Sequence, residues 1–252
     1  MAHVITVTNQ KGGVGKTTTC CSLVSGLHMQ GYKVLGVDLD PQGNLGFSLG
    51  LDIENGLTIY DILKGDVTTR EVIRHTDYGD VLPSNILLSS AELEFNRSGR
   101  EFILQHAVAP IKNNYDYIII DTPPALNILT VNAYVTSDSL IIPMIPEVLS
   151  LLGISQLKDT IEIVRKFYNH NLKILGILLI KYNKKFNLVK EVEELTSAIA
   201  QQLETSVLNV KIRNNVAVAE APAHGQSVLS YAPKSNAALD FNALIEEILE
   251  KL

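Results

Sequence analysis

The sequence predicts an α/β fold in which a doubly wound, mostly parallel sheet carries helices on both faces. Apolar, β-branched segments alternate with helical patterns along all 252 residues, as expected for strands joined by crossover helices. Several strand-like runs, such as residues 118–120 and 174–180, are apolar at nearly every position. Such runs are typical of parallel strands that are buried on both faces. The length suffices for one such core, so we expect a single domain over residues 1–252.

The individual elements follow in the order that this fold requires. Strands are predicted at residues 4–8, 33–38, 81–83, 117–121, 140–143 and 174–180, with a weaker one at 207–211. Helices are predicted at residues 17–29, 89–107, 128–136, 149–168, 188–203 and 237–252. Residues 177–180 could also form a buried helix, but the short length of this run and its position after Gly176 favour a strand.

Composition argues against a membrane-spanning or secreted protein. No run approaches the ~20 consecutive apolar residues of a membrane span, and the N-terminus lacks the pattern of a secretion signal. Cys20 and Cys21 are adjacent on a predicted helix and would face different directions, so we expect neither a disulfide nor a metal site from them. These features predict a reduced, cytoplasmic protein.

Charge is unevenly distributed along the chain. The formal net charge of −6 argues against a protein that coats nucleic acid. Between Leu172 and Lys190, however, there are five lysines and no acidic residue. This stretch favours a local patch for an anionic partner, although a solvated loop and helix start would have the same composition.

A phosphate-binding loop is indicated near the start of the chain. Residues 10–19 read Gln-Lys-Gly-Gly-Val-Gly-Lys-Thr-Thr-Thr and lie between a predicted strand and a predicted helix. The glycines let successive backbone N–H groups point at one anion, and the helix N-terminus adds partial positive charge. In such a loop Lys16 contacts the β- and γ-phosphates, and the Thr17 hydroxyl binds Mg²⁺.

The loop departs from the standard pattern at its first position. Gln10 stands where the pattern G-x-x-x-x-G-K-[ST] has glycine, and a second lysine, Lys11, follows it. A solvated charge is the simplest explanation for a lysine in an ordinary loop. A cation this close to a bound anion favours a functional role for Lys11.

Aspartates follow two of the predicted strands, at Asp38, Asp40 and Asp121. A single aspartate at the end of a strand often only caps the next helix. Two such strand ends beside a phosphate loop favour a Mg²⁺ site, because the carboxyl ends of parallel strands meet at one edge of the sheet. We expect Asp38 and Asp121 in the Mg²⁺ shell, and Asp40 to orient the attacking water.

Four segments together resemble the ParA/Soj family of deviant Walker A ATPases, which partition plasmids and chromosomes or position cargo. They are residues 11–18, 37–44, 115–124 and 220–225, and the first two together are highly specific. The resemblance implies ATP and Mg²⁺ as cofactors and a homodimer when ATP is bound. It also implies slow hydrolysis stimulated by a ParB-type partner, and a cytoplasmic, nucleoid-associated location.

The same resemblance assigns catalytic roles. Lys11 is similar to the signature lysine that reaches the partner's ATP in a sandwich dimer, Lys16 to the lysine that acts in cis, and Asp40 to the water-positioning carboxylate. A charge supplied in trans to the γ-phosphate makes dimerisation depend on ATP rather than ADP. The residues expected to contact the nucleotide phosphates are Lys11, Gly12, Gly13, Val14, Gly15, Lys16, Thr17 and Thr18.

Base and DNA contacts are also implied by the resemblance. Residues 212–216 line up with the adenine-side loop of the family, where Asn215 matches and Arg213 replaces the usual proline. Asn183 is a further candidate base contact. Family members that bind DNA usually have an arginine where this chain has Ala217, so that DNA contact is missing here. The resemblance then implies sequence-independent contacts to DNA phosphates from Lys184, Lys185, Lys190 and Lys211.

Other functions fit parts of the sequence. Electron-transfer relatives such as the nitrogenase iron protein need cysteines at the dimer interface, whereas both cysteines here lie on the first helix. A MinD-like ATPase needs a basic, apolar C-terminal helix; residues 244–252 are acidic, so we expect no membrane partner. A binding module without turnover is disfavoured by intact Lys16, Asp40 and Asp121. A MinD-like or cargo-positioning ATPase that acts on a membrane or a protein assembly remains the alternative.

Overall fold

The computed structural model describes residues 1–96, 98–183 and 189–252. Its strands are β1 (His3–Val7), β2 (Val34–Asp38), β3 (Arg74–Thr76), β4 (Gly79–Leu82), β5 (Tyr117–Asp121), β6 (Ser139–Met144), β7 (Lys173–Tyr182) and β8 (Ile212–Arg213). They form one sheet in the order β3-β4-β2-β5-β1-β6-β7-β8. Every neighbouring pair is parallel except β3 and β4. The predicted fold class is therefore confirmed.

Helices cover both faces of this sheet. The α-helices of the described residues are α1 (Lys16–Met29), α2 (Asn44–Ser48), α3 (Ile59–Lys64), α4 (Thr69–Val72), α5 (Ala91–Glu94), α6 (Ile103–Val108), α7 (Ile128–Thr136), α8 (Val148–Phe167), α9 (Val189–Gln202), α10 (Ala217–Glu220), α11 (Val228–Tyr231) and α12 (Asn236–Lys251). Buried apolar side chains form two clusters. In β5, Ile118 and Ile120 belong to one cluster and Ile119 to the other, because side chains alternate between the faces of a strand.

The prediction of one helix at residues 89–107 is wrong, because the helical structure is interrupted there. It forms 3₁₀ turns at Ile86–Ser90 and Arg100–Phe102, with the short helices α5 and α6 beside them. Gly99 has φ +78°, a left-handed conformation that ends a right-handed helix. Asn132 of α7 holds the second half in place, since it accepts a hydrogen bond from the Leu104 N–H at 3.0 Å and donates to the Arg100 carbonyl at 2.8 Å.

The predicted strand at residues 207–211 is also wrong. Val207 makes only an isolated bridge to Ile177, and the strand proper is the two-residue β8. The N–H groups of Asn209 and Val210 donate instead to the carboxylate of Glu247, each at 2.8 Å. The segment therefore pairs with β7 only around Leu208, whose N–H donates to the Ile177 carbonyl, and a side chain of α12 takes over as the partner of Asn209 and Val210.

The topology brings the loops that carry the predicted site together. β1 lies between β5 and β6, and the register pairs Val7 with Asp121 and Asp38 with Asp121. Phe241 and Ile245 of α12 are buried in the cluster that contains α1, so the apolar stripe of the C-terminal helix packs on the core. None of the described helices is long and apolar enough to cross a membrane.

Candidate functional site

A cavity of about 420 Å³ lies at the carboxyl ends of the central strands. Asp40 lines it after β2, Pro124 after β5, and Ile180 and Lys181 at the end of β7. Of the predicted phosphate-contacting residues, those that line it are Gly12, Gly13, Gly15, Lys16, Thr17 and Thr18. A larger cavity of about 810 Å³ lies between α3, α4 and α6 and contains no part of the loop. The smaller cavity is therefore the candidate site.

The loop requires glycine for two separate reasons. Gly13 and Gly15 have φ +71° and +77°, which residues with a side chain rarely adopt. A Cβ atom on Gly15 would also lie 2.5 Å from Cδ1 of Ile180, so the end of β7 packs directly against the loop. Thr19 then joins loop to helix, because its backbone N–H and hydroxyl both donate to the Gly15 carbonyl, at 2.9 and 2.8 Å.

The two predicted lysines of the loop point in different directions. Lys16 is buried, lines the cavity and donates from Nζ to the Lys11 carbonyl at 3.2 Å. Burial lowers the pKa of Lys16, while the charges of Asp121 and Asp40 oppose this shift. Lys11 does not line the cavity within the described part of the chain; its Nζ lies 3.0 Å from the Glu147 carboxylate, just before α8. Of these two lysines, Lys16 therefore lies at the cavity of its own chain and Lys11 does not.

Asp38 and Asp40 build the turn that follows β2. The buried Asp38 carboxylate accepts backbone hydrogen bonds from Asp40 and Leu45, both at 3.0 Å. Asp40 accepts from the Gln42 N–H at 3.0 Å, and its carbonyl accepts from the Ser84 hydroxyl at 2.6 Å. Asp40 lines the cavity while its turn is held on both sides. This arrangement fixes a carboxylate at the cavity wall.

The side chain of Asp121 is fully buried and lies close to Thr17, Lys16 and Cys20. Within the described residues, neither of its carboxylate oxygens accepts a hydrogen bond. Burial raises the pKa of Asp121 to about 7, although the side chain of Thr17 and the charge of Lys16 oppose the rise. Burial and the charge of Asp121 also raise the pKa of Asp38. Two buried carboxylates in register cannot both ionise easily without a cation between or beside them.

These residues fit a Mg²⁺ ion bound together with a nucleotide. Among the described residues, no group of three or more His, Cys, Asp or Glu side chains forms a metal site by itself. Mg²⁺ in phosphate-transfer sites usually takes only one or two carboxylates and completes its shell with phosphates and water. The unpartnered Asp121 beside Thr17, with Asp38 adjacent in the sheet, matches that requirement.

Another wall of the cavity is formed by β8 and the segment that follows it. Arg213 lines it, and its guanidinium forms an ion pair with Asp240 of α12 at 2.6 Å. Asp240 also accepts from the Arg213 backbone N–H at 2.9 Å, so both parts of the residue are held. Asn215 lines the same wall and accepts from the Ala217 N–H at 2.9 Å. Asn183 is not among the described residues that line the cavity.

The predicted DNA-contacting lysines divide into two groups. Lys184 and Lys185 lie outside the described residues, and the side chain of Lys190, in the first turn of α9, is likewise not described. Lys211 forms an ion pair with Glu193, and its Nζ lies 4.7 Å from the centre of the Tyr182 ring. Its charge is therefore balanced within the protein.

Sequence reasoning missed several residues that complete the site. Three of them are acidic: Glu147 pairs with Lys11, Asp240 pairs with Arg213, and Glu247 accepts hydrogen bonds from the segment before β8. In the sequence each of the three is an ordinary acidic residue. Nothing in the spacing of these acids marks them, because their partners are far away in the chain. Lys181 is different, since the basic stretch that contains it was a visible signal.

Comparisons with known proteins show which family this chain resembles. A family model described as an AAA domain matches residues 2–174. The chain is 41% identical over 255 residues to the sporulation initiation inhibitor protein Soj of Bacillus subtilis, covering 98% of both chains. It is 38% identical over 255 residues to the chromosome partitioning protein ParA of Myxococcus xanthus, covering 100% of this chain and 89% of that protein.

A solved structure shares the whole fold. Cobyrinic acid a,c-diamide synthase from Mycobacterium smegmatis, with bound ADP and magnesium, superimposes with a TM-score of 0.87 and 35% sequence identity. The match covers 99% of this chain and 95% of that one. The phosphate loop, the parallel sheet and full-length relatives at this level of identity lead to one conclusion. This chain belongs to the ParA/Soj family of P-loop ATPases.

Proposed function

We propose that the protein binds ATP with Mg²⁺, dimerises in the ATP-bound state, binds DNA without sequence preference and hydrolyses ATP slowly to segregate plasmid or chromosomal DNA. One observation carries this proposal: the phosphate loop and Asp40 line one cavity, and the buried Asp38–Asp121 pair lies in register at the ends of β2 and β5, with Asp121 next to Thr17 and Lys16 of the loop. The names of the Soj and ParA relatives support chromosome partitioning as the cellular role.

Each group around the cavity has a distinct task in ATP hydrolysis. When bound, Mg²⁺ neutralises charge on the β- and γ-phosphate oxygens. Thr17 and Asp121 would hold it, with Asp38 behind them. Lys16 donates to the phosphates in cis. Asp40, fixed by the turn after β2, orients the water for attack in line with the leaving group.

Dimerisation is proposed to depend on Lys11. Among the described residues that line the cavity of its own chain Lys11 is absent, and its ammonium group pairs with Glu147, which supports a role outside that cavity. A cation that reaches the γ-phosphate of a partner chain binds the ATP form better than the ADP form. ATP therefore favours the dimer, and hydrolysis releases it.

Two variants test the mechanism. Asp40→Ala removes the water-orienting carboxylate, so we expect ATP binding and ATP-dependent dimers without phosphate release. Lys11→Ala removes the trans cation, so we expect nucleotide binding without dimers. Light scattering with ATP or ADP and a phosphate-release assay give both readouts. Normal ATP-dependent dimerisation of the Lys11→Ala protein would show that the sandwich mechanism is wrong.

DNA binding is proposed to rest on the basic segment after β7. Replacing Lys184 and Lys185 with glutamate should abolish ATP-dependent DNA retention at low salt, because the contacts are to phosphates. Lys33 and Lys173 provide the control, since both are exposed and lie at the opposite, amino-terminal ends of β2 and β7. Glutamate at both of these positions should leave retention nearly unchanged.

Pelleting with anionic vesicles separates the DNA function from a MinD-like one. Because α12 packs its apolar face on the core, we expect the protein to pellet with DNA and not with vesicles. ATP-dependent pelleting with vesicles alone would favour the membrane function instead.

A further inference from the structure

Lys181, at the end of β7, lies beside the phosphate loop but belongs to none of the recognised motifs. We propose that Lys181 is a phosphate-binding residue, a third lysine that donates its ammonium to the phosphates of the bound nucleotide. This inference rests on the proposed nucleotide binding and adds a residue to it. Its support comes from the backbone, from the contacts of the side chain and from the packing of its neighbour.

The backbone of Lys181 is held in an unfavourable conformation. Its φ is +52°, and Glu204 is the only other non-glycine residue in the described part of the chain with a positive φ. A left-handed conformation is unfavourable for a residue with a side chain, because Cβ comes too close to the following carbonyl oxygen. The pairing of β7 with β8 also shifts register between Ile180 and Tyr182, around Lys181. Such strain persists where the surrounding structure imposes it, and it clusters at functional sites.

This conformation brings the ammonium group to the loop. Lys181 Nζ donates to the Gly13 carbonyl at 3.3 Å, and Lys181 lines the same cavity as Gly12 and Gly13. Lys16 Nζ donates to the Lys11 carbonyl at 3.2 Å, so two ammonium groups contact carbonyls of one short loop. A carbonyl uses one of the three donors of an ammonium group. Donors therefore remain for an anion.

The partners of the lysines differ in charge. Lys11 and Lys211 form ion pairs with Glu147 and Glu193. The hydrogen bond of Lys181 is to a neutral backbone group, and no carboxylate among the described residues forms an ion pair with it. A polyphosphate in the cavity would supply that counter-charge, with charge-assisted hydrogen bonds that are stronger than the one to the carbonyl.

The neighbouring residue fixes the distance between β7 and the loop. Ile180 fills the space beside Gly15, where a Cβ atom would come within 2.5 Å of its Cδ1. The end of β7 therefore contacts the loop at Gly15 through Ile180 and at Gly13 through Lys181. Two contacts on either side of Val14 hold the ammonium close to the place where the loop binds phosphate.

Calorimetric titration with Mg-ADP, pyrophosphate and adenosine tests the proposal. Lys181→Met should weaken the binding of ADP and pyrophosphate by about tenfold or more, since it removes a charge-assisted hydrogen bond. The binding of adenosine should not change, because adenosine has no phosphate. Lys181→Arg should retain most of the affinity for ADP. Lys173→Met, an exposed lysine at the other end of β7, is the matched control and should bind like the wild type.

A role in only bracing the loop predicts a different result. If Lys181 merely supports the Gly13 carbonyl, Lys181→Met should reduce nucleotide affinity and also lower the unfolding temperature of the free protein. Lys181→Gly removes the charge but adopts φ +52° without strain. We expect Lys181→Gly to melt at or above the wild-type temperature and to bind ADP as weakly as Lys181→Met.

The outcomes separate this inference from the proposed function. Wild-type affinity of Lys181→Met or Lys181→Gly for ADP and pyrophosphate would overturn the inference and leave ATP binding intact. Failure of the wild-type protein to bind Mg-ADP or Mg-ATP would overturn both.

Discussion

Glu247 joins the C-terminal helix to the wall of the candidate site. Its side chain is buried, and its two carboxylate oxygens accept the N–H groups of Asn209 and Val210, each at 2.8 Å. Asn209 and Val210 lie shortly before β8. Arg213 of β8 and Asn215 after it line the cavity. We predict that Glu247→Gln lowers both the stability of the fold and the affinity for nucleotide.

The size of the effect follows from the two hydrogen bonds. A hydrogen bond to a charged acceptor contributes about 1.5–3 kcal/mol, and a buried donor left without a partner costs a similar amount. Glutamine keeps one acceptor oxygen but turns an NH₂ group toward the second backbone N–H. The expected loss is therefore about 2–4 kcal/mol in the free energy of unfolding. For a chain of this size that corresponds to a decrease of roughly 5–15 °C in melting temperature.

Urea denaturation followed by circular dichroism measures the free energy of unfolding, and titration with ADP measures the affinity for nucleotide. Glu246→Gln is the matched control, because Glu246 is the preceding residue of the same helix and is exposed. It should change the unfolding free energy by no more than about 0.5 kcal/mol. The reasoning is refuted if Glu247→Gln unfolds within that same range of the wild type, or if it weakens ADP binding no more than Glu246→Gln.

Three further predictions concern the loop, the metal site and pH. Gly15→Ala should abolish nucleotide binding, because a Cβ would meet Ile180 and φ is positive; a fluorescent ATP analogue measures this, and wild-type binding would contradict it. Asp121 has a pKa raised from 3.8 to about 7, so its burial destabilises the free protein increasingly as pH rises through that window. Asp121→Asn should therefore stabilise the free protein at pH 8 in urea denaturation while removing Mg²⁺-dependent ATP binding; a less stable variant would count against this. Burial lowers the pKa of His3 below 6.5, so the unfolded state takes up the proton first and stability falls as pH drops below 6.5. His3→Gln should lessen this loss between pH 7.5 and 5.5, and an unchanged loss would exclude His3 as its source.

The sheet and the loop could be predicted from sequence because their signals are local. A buried parallel strand needs a continuous apolar run, and residues 117–121 and 174–180 have one. The phosphate loop needs glycine at positions with positive φ, which Gly13 and Gly15 supply. The two aspartates that end β2 and β5 could be placed together because parallel strands end at one edge.

The parts that sequence did not predict depend on distant contacts. The pattern at residues 89–107 is helical, but Gly99 adopts a left-handed conformation that interrupts the helix. Asn132 then accepts a hydrogen bond from the Leu104 N–H and holds the second part in place. Residues 207–211 have the pattern of a weak strand, but Glu247 takes the place of a neighbouring strand at Asn209 and Val210. Each of these contacts joins residues far apart in sequence, so no local pattern records it.

The residues that line the cavity are spread along the chain, so they are synthesised at different times. Its walls come from the loop before α1, from the ends of β2, β5 and β7, and finally from Phe241 in α12. A nascent chain that has emerged only as far as β6 already contains the whole phosphate loop, yet half of the cavity wall is still missing. The proposed nucleotide site is therefore complete only in a chain that has been translated as far as α12. Nucleotide bound at the proposed site would stabilise chains that include α12 and give no such advantage to shorter ones.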